Sequence, residues 1–388
     1  MKRLIMTPCL LAASIGMGAQ AAELKLNGFA SVVAGKTLNQ GTVFARDGLS
    51  ETPINPAVTN ASDATLMADF ATGGVYDDDI SFNPDSIFGL QISADLGRGL
   101  SATGQITGSG GEDFDATIAW AYLSYELNDS WTMVAGRQRL PLYFYSDYLD
   151  VGYAYHWTRA PIETQAPIDT LDGVQFRYQG SLGDWDTRLQ VYGGSGKNDF
   201  SIISDEANAE NIVGAVLYAS NDWLQLRATY MVTDFYFKET GPAFGQGEDN
   251  AVGSAFTGIA AHASFGQGFV IAEVVTYGFD EVFQPTGWDD YIGGYISGGY
   301  RLGDFTPHIT FSSENQEIKD SAFSMAGLTD GDDATDSVTV GVRWDFHPQA
   351  AFKLEYQVRM DESDDNIKAF YGDRNEVDLA SLGFDVIF

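Results

Sequence analysis

The chain has one cysteine, Cys9, and it falls in the first 21 residues. Removal of that segment leaves nothing for a disulfide, a thiolate metal site or a Cys nucleophile. Basic residues are also scarce, with 21 Lys+Arg against 54 Asp+Glu and a formal net charge of -33. So acidic a chain repels nucleic acid, and it has no basic patch to offer. Only four histidines are present, His156, His262, His308 and His347. None sits in a recognisable Ser/His motif, so a catalytic nucleophile and base are not signalled. Beyond the N-terminal segment no apolar run reaches the ~18 residues of a membrane-spanning helix. Disorder is the usual reading of high net charge, but 44% apolar and 13% aromatic content oppose it. The mean hydropathy of -0.12 suits a soluble protein. It equally suits a lipid-facing barrel, in which each apolar outward residue alternates with a polar inward one.

The two ends carry what remains informative locally. Lys2 and Arg3 form a basic start, Leu4 to Gly18 is mostly apolar and too short to span a bilayer, and Ala19-Gln20-Ala21 is an A-x-A cleavage site. The expectation is a secretory signal over 1–21 and a single unit over 22–388. At the other end, Phe384, Val386 and Phe388 fall on one face of an alternating strand, and Gly383, Asp385 and Ile387 on the other. A chance amphipathic edge strand in a soluble protein would show the same alternation.

The internal rhythm is more specific. Short Gly/Asn/Asp/Pro turns recur at Gly97-Arg98-Gly99, Asn128-Asp129-Ser130, Gly183-Asp184, Asn221-Asp222, Gly266-Gln267-Gly268, Gly303-Asp304 and His347-Pro348-Gln349. Most are followed closely by an aromatic: Trp131, Trp185, Trp223, Phe269, Phe305 and Phe352. Between them lie pairs of strand-like runs joined by longer polar connections. The runs are about 24–34, 86–96, 100–109, 115–127, 131–139, 171–181, 184–194, 211–220, 223–237, 252–265, 268–279, 291–302, 304–313, 336–346, 351–360 and 376–388. The fold class expected is all-β, a transmembrane antiparallel β-barrel of sixteen strands with both ends on the short-turn side. Run lengths near ten match the ~9–11 residues of a tilted membrane strand. Within runs the faces separate: Val338, Val340, Val342, Trp344 and Phe346 oppose Thr339, Gly341, Arg343 and Asp345. Lipid supplies no hydrogen bonds, so such a sheet must close and turn its apolar face outward.

In these features the chain resembles the sixteen-stranded porins of Gram-negative outer membranes. The closing strand with its final Phe388 resembles the family's closing strand, whose terminal aromatic is the signal that the outer-membrane assembly machinery reads. The resemblance implies an outer-membrane location, a homotrimer, and a third long connection folded into the lumen as a constriction. That connection, about 140–170, reads LPLYFYSDYLDVGYAYHWTRAPIETQAPID around those positions. It offers Tyr143, Tyr145, Asp147, Tyr148, Asp150, Tyr153, Tyr155, Arg159 and Glu163 as constriction residues. So aromatic a loop either folds against the inner wall or caps the mouth and its neighbours.

Arg177, Arg188, Arg227, Arg343 and Arg359 fall on polar faces by alternation and are expected on the pore wall, since an arginine facing lipid at mid-depth costs ~2–4 kcal/mol. Arg177 and Arg188, read as near mid-height on adjacent strands, are expected opposite the acidic loop residues, where a transverse field would discriminate ions. The alternative is that such arginines pair with inward acids such as Asp186, Asp345 and Glu355. Arg137 and Arg139 share a face with Trp131 and Met133. They belong either at an outer rim or, through a bulge, in the lumen. The acids concentrate in the long connections: Asp77-Asp78-Asp79, Asp289-Asp290, Asp330 to Asp336, and Asp361 to Asp365. DGDDATD lacks the Gly and the distant Glu of a calcium loop, so no metal is expected there. It reads as solvated charge, or as weak divalent bridging to lipopolysaccharide.

The function expected is a water-filled channel for passive diffusion of small hydrophilic solutes and ions, without cofactor and without catalysis. The alternatives are a substrate-selective porin for a sugar, an amino acid or an anion such as phosphate, a barrel enzyme, or an adhesin.

Overall fold

The computed structural model describes residues 23–38, 43–44, 65–67, 75–166, 168–198, 206–238, 251–281, 287–320, 328–371 and 376–388. The expected signal segment lies outside them.

Sixteen antiparallel strands close on themselves, each bonded to its sequence neighbours, with the first paired to the last. They are β1 Glu23–Thr37, β2 Ile87–Gly97, β3 Leu100–Ser109, β4 Ala116–Glu126, β5 Trp131–Arg139 and β6 Thr170–Leu182. Then come β7 Trp185–Asn198, β8 Glu206–Ser220, β9 Leu224–Lys238, β10 Val252–Phe265 and β11 Gly268–Phe279. The last are β12 Trp288–Tyr300, β13 Phe305–Ile318, β14 Gly331–His347, β15 Ala350–Asp361 and β16 Glu376–Ile387. Three strand pieces of two or three residues pair within the first long connection, and a seven-residue helix, Asp365–Tyr371, lies in the last.

The outward face is apolar. Leu90, Ile92, Leu217, Ile259, Ile292, Ile296, Phe311, Val340, Leu354 and Phe384 are all exposed. A water-soluble protein would bury such a belt; a lipid-facing one requires it. The short turns place Gly97, Gly183, Gly266 and Gly303 at positive φ, where a side chain would be strained. Closure across the ends is direct. Gly28 N–H donates to Phe388 O at 2.7 Å, Phe388 N–H donates to Gly28 O at 2.9 Å, and the Phe388 ring lies where a Gly28 side chain would be.

Two expectations change. Several strands run past the apolar belt on the long-connection side, so Asp289, Asp290, Asp332, Asp333 and Asp336 belong to strands rather than to loops. The ladder β13–β14 continues from Phe305↔Trp344 to Ile318↔Gly331, beyond the residues in which apolar and polar types alternate. The inward face is also not uniformly polar. Tyr192, Ile212, Val216, Met231, Phe256, Phe269, Ile271 and Val275 point inward from β7–β11 and are buried. An apolar inner wall is stable only when something covers it.

Candidate functional site

The cover is the connection between β5 and β6. Leu140, Leu142 and Tyr143 pack with Tyr192, Ile212, Val216 and Phe256. Phe144, Tyr145, Tyr155 and Trp157 pack with Ala260, Phe269, Ile271 and Tyr295. Its aromatics meet edge-on, as Tyr145 does with Tyr148, Tyr155 and Trp157 at 5.4, 5.7 and 5.4 Å between centroids. The segment 140–169 therefore lies inside the barrel against β7–β15.

Polar groups of the wall fix its backbone. Arg227, 2% exposed, donates to the carbonyls of Pro141 at 2.5 Å and Leu142 at 2.6 Å. Phe144 N–H donates to Glu273 at 2.8 Å. Arg343 donates to the carbonyls of Tyr153 at 2.7 Å and Tyr155 at 2.6 Å, and its guanidinium sits 4.7 Å from the Tyr153 ring centroid. Lys353, fully buried, donates to Gly152 O at 2.7 Å and to Trp157 O, and pairs with Asp385 at 2.8 Å. Thr158 donates to Glu355. Near the end of the segment Tyr291 donates to Glu163 O at 2.7 Å, Ser337 donates to the Glu163 carboxylate at 2.9 Å, and Arg359 lies 3.9 Å from it while pairing with Glu314 at 2.9 Å. Glycine permits two of these approaches: a side chain on Gly152 would strike Asp385 and Ser31, and one on Gly293 would strike Glu163 O.

The segment leaves the β1–β5 side of the lumen open. Two cavities lie there, of about 350 Å³ toward the long-connection mouth and about 500 Å³ toward the short-turn mouth. Both are lined by Trp120, Arg139, Leu149 and Asp150, so these four residues frame the junction. Arg139 donates to Asp150 at 2.5 Å and to Asp169 at 3.2 Å. Burial raises the Asp150 carboxyl above its ordinary range, although Arg139 pulls it the other way. Above the junction Arg159 pairs with Asp85 at 3.3 Å.

Of the nine loop residues expected at a constriction, Asp147, Tyr148 and Asp150 line the lower cavity, and Tyr143, Tyr155, Asp150 and Arg159 line the upper one. Tyr145 and Glu163 are buried against the wall. Tyr153 reaches the short-turn end, where its hydroxyl donates to Pro348 O at 2.8 Å. The five wall arginines share the inward face, but they divide. Arg227, Arg343 and Arg359 hold the segment. Arg177 stands near the middle of β6 and Arg188 in the short-turn half of β7, and neither lines either cavity. Arg177 donates to Gln175 at 2.5 Å, and Arg188 lies 5.5 Å from the Tyr218 ring centroid.

The arginine at the junction is Arg139, for which alternation left both an outer rim and the lumen open. Gly136, at φ +129°, precedes Arg137 and Arg139 within a strand whose pairing with β6 is unbroken. Arg137 then makes a bidentate pair with Asp172 across β5–β6, at 2.8 and 2.7 Å, while Arg139 reaches the loop.

Three histidines gather under the segment. His156 approaches Ser297 Oγ at 2.9 Å, and its ring lies 4.7 Å from that of His308. Burial holds the His156 imidazole well below its usual pKa. The Ser297–His156 pair resembles a nucleophile and base, but Ser297 is fully buried and donates to Ile309 O at 3.2 Å. Its proton and its access are both committed to the packing. Among the described residues no group of three His, Cys, Asp or Glu side chains is placed to hold a metal ion.

No protein-family model matches the chain, and no curated protein matches it in sequence. Solved structures match it along nearly its whole length. The outer membrane channel DcaP of Acinetobacter baumannii gives a TM-score of 0.59 at 12% identity, covering 95% of this chain and 98% of that one. Outer-membrane expressed OmpT of Vibrio cholerae gives 0.58 at 12% identity, covering 96% and 99%. The anion-selective porin of Comamonas acidovorans gives 0.54 at 13% identity, covering 95% and 100%. At such identities the likeness is one of fold, and it agrees with the strand order, the closure and the apolar belt: the chain is a transmembrane β-barrel with the sixteen-stranded fold of outer-membrane porins.

Proposed function

We propose that this protein is an outer-membrane channel through which small hydrophilic solutes and ions diffuse passively, narrowed by the segment 140–169. The observation that carries the reading is the pair of cavities on the β1–β5 side, meeting at Trp120, Arg139, Leu149 and Asp150. A segment serving only as a plug would fill the section; this one is drawn to one wall by apolar packing and leaves the other wet. The remaining face carries Gln91, Gln105, Thr107 and Thr117, which suit water and polar solutes. The narrow zone is flanked by one arginine and two aspartates at hydrogen-bonding distance, so both signs of charge are present there.

The finer parts of the reading belong with it. The porin-type fold supports a homotrimer. Phe388, at the exposed end of β16, serves as the mark for the assembly machinery, and the acids of the strand extensions and last connection meet lipopolysaccharide through divalent cations. The chain over 1–21 is the export signal.

Single-channel recording of the purified protein in planar bilayers tests the central claim. Stepwise conductance is expected, and a variant lacking 143–163 should conduct more and admit larger solutes in liposome swelling. A folded, membrane-inserted barrel that carries no current would refute it.

A further inference from the structure

The lower cavity has a feature that ion passage does not use. Asn27, Gln91, Gln105 and Trp120 stand directly opposite one another across four successive strands: Asn27↔Gln91, Gln91↔Gln105 and Gln105↔Trp120. All four line that cavity. With neighbouring strands about 4.8 Å apart, the row is roughly 14 Å wide. It is neutral throughout, and it is partly unpaired. Gln105 is 5% exposed and donates to Gln91 Oε1 at 3.1 Å, which turns the Gln91 amide N–H groups toward other partners. Gln105 Oε1 accepts nothing, and the Trp120 indole N–H donates to nothing. An acceptor and a donor on opposed residues of adjacent strands are both left over. A buried polar group without a partner costs ~1–3 kcal/mol, so a ligand that satisfies it recovers that cost.

Resting on the channel reading above, the geometry points to a binding subsite for neutral polyhydroxylated solutes, of the size of a di- or trisaccharide, along the row Asn27–Gln91–Gln105–Trp120. A hydroxyl is the group that fits, because it accepts and donates at once. It accepts a hydrogen bond from the Trp120 indole N–H and donates one to Gln105 Oε1. Neighbouring hydroxyls on one ring serve Gln91 and Asn27. Across the cavity Tyr148 and Leu149 offer an apolar surface for the C–H face of the ring. Charged solutes are served less well. Arg139 is the one Arg or Lys lining the cavity, and it is held by Asp150 and Asp169, so a ligand carboxylate or phosphate must displace them. Asp147 is exposed there and repels anions.

The test is current blockade. Maltotriose added to single channels should interrupt the ion current, with a half-blocking concentration; glutamate and phosphate at equal concentration should not. W120F keeps a ring and loses the N–H. It should raise the half-blocking concentration about tenfold relative to its own open-channel conductance, one hydrogen bond's worth. Q105L provides the second variant, and for both a heat-modifiable gel band identifies the folded barrel. Conductance without interruption by maltotriose overturns the inference and leaves the channel standing. So does blockade that neither folded variant weakens, or stronger blockade by glutamate or phosphate. Absence of conductance in the unaltered protein would instead overturn the channel reading, and this inference with it.

Discussion

Lys353 is the perturbation that separates the barrel from its inserted segment. Its ammonium is fully buried, 2.8 Å from Asp385, and donates to the carbonyls of Gly152 and Trp157. K353M keeps the length of the side chain and removes all three interactions. Asp385, 1% exposed, is then left charged without its partner. Breaking a buried pair from one side costs ~3–5 kcal/mol. The double variant K353M/D385L removes the stranded charge, and replacing both partners by apolar groups is often neutral. Its unfolding midpoint in detergent with urea should therefore return close to that of the unaltered protein, while the single variant falls. The tether to Gly152 and Trp157 stays lost in both. Single-channel recordings should show a noisier and larger conductance in both, because residues 152–157 lose a cation that fixes two of their carbonyls. If both variants conduct as quietly as the unaltered channel, Lys353 does not hold the segment. If the double variant is as unstable as the single, the stranded charge is not the source of the cost.

The remaining predictions concern the narrow zone and the closure. R139Q should shift the reversal potential in a salt gradient toward cations, and by more than R177Q/R188Q does, because Arg139 lines the junction and the other two do not; an equal or larger shift from the pair would refute this. Lowering the pH should move selectivity toward anions with a midpoint above that of an ordinary Asp, ~3.9, because burial raises the Asp150 carboxyl; the titration should vanish in D150N. The sign for stability agrees. A carboxyl raised in the folded state contributes most below its unfolded pKa and loses that contribution as pH rises through the folded one, so D150N should gain most at neutral pH. F388D should reduce the amount of barrel in the outer membrane, measured by surface protease digestion, since it removes the proposed assembly mark and the ring over Gly28; normal levels would refute the assembly role.

The strand register was legible because two signals coincide at most of the short hairpins. A Gly- or Asn-containing turn fixes the reversal and the period-two pattern fixes the face, as in β3, β5, β10 and β11, whose bounds agree with the sequence reading. Legibility declined where one signal fades. In 314–318 and 331–335 the inward side chains are mostly polar, so the residue types show no apolar alternation, although the backbones pair and Glu314, Gln316, Ile318 and Thr335 are buried. It declined differently at Gly136. There the positive φ leaves the pairing with β6 unbroken, so nothing in the pattern tells that Arg139, the last residue of β5, turns to Asp150 and Asp169.

The side of the lumen taken by the segment follows from a feature that alternation conceals. A strand apolar on one face reads as lipid-facing; a strand apolar on both faces must have a second cover. In β8, Val213 and Leu217 are exposed to the outside while Ile212 and Val216 are buried within. In β9, Tyr230 and Val232 face out while Met231 and Phe235 face in and are buried. On β2–β4 the inward positions include Gln91, Gln105, Thr107 and Thr117 beside Trp120, and among the described residues they form no buried apolar face like that of β8 and β9. The aromatic segment can cover only the first wall without burying unpaired amides. The same asymmetry decides the use of charge. Arg227, Arg343, Lys353 and Arg359 stand on the covered side, where they secure the segment, and Arg139 is left at the open junction. A count of wall arginines therefore overstates the cations on the open side, because Arg227, Arg343 and Arg359 are engaged in holding the segment.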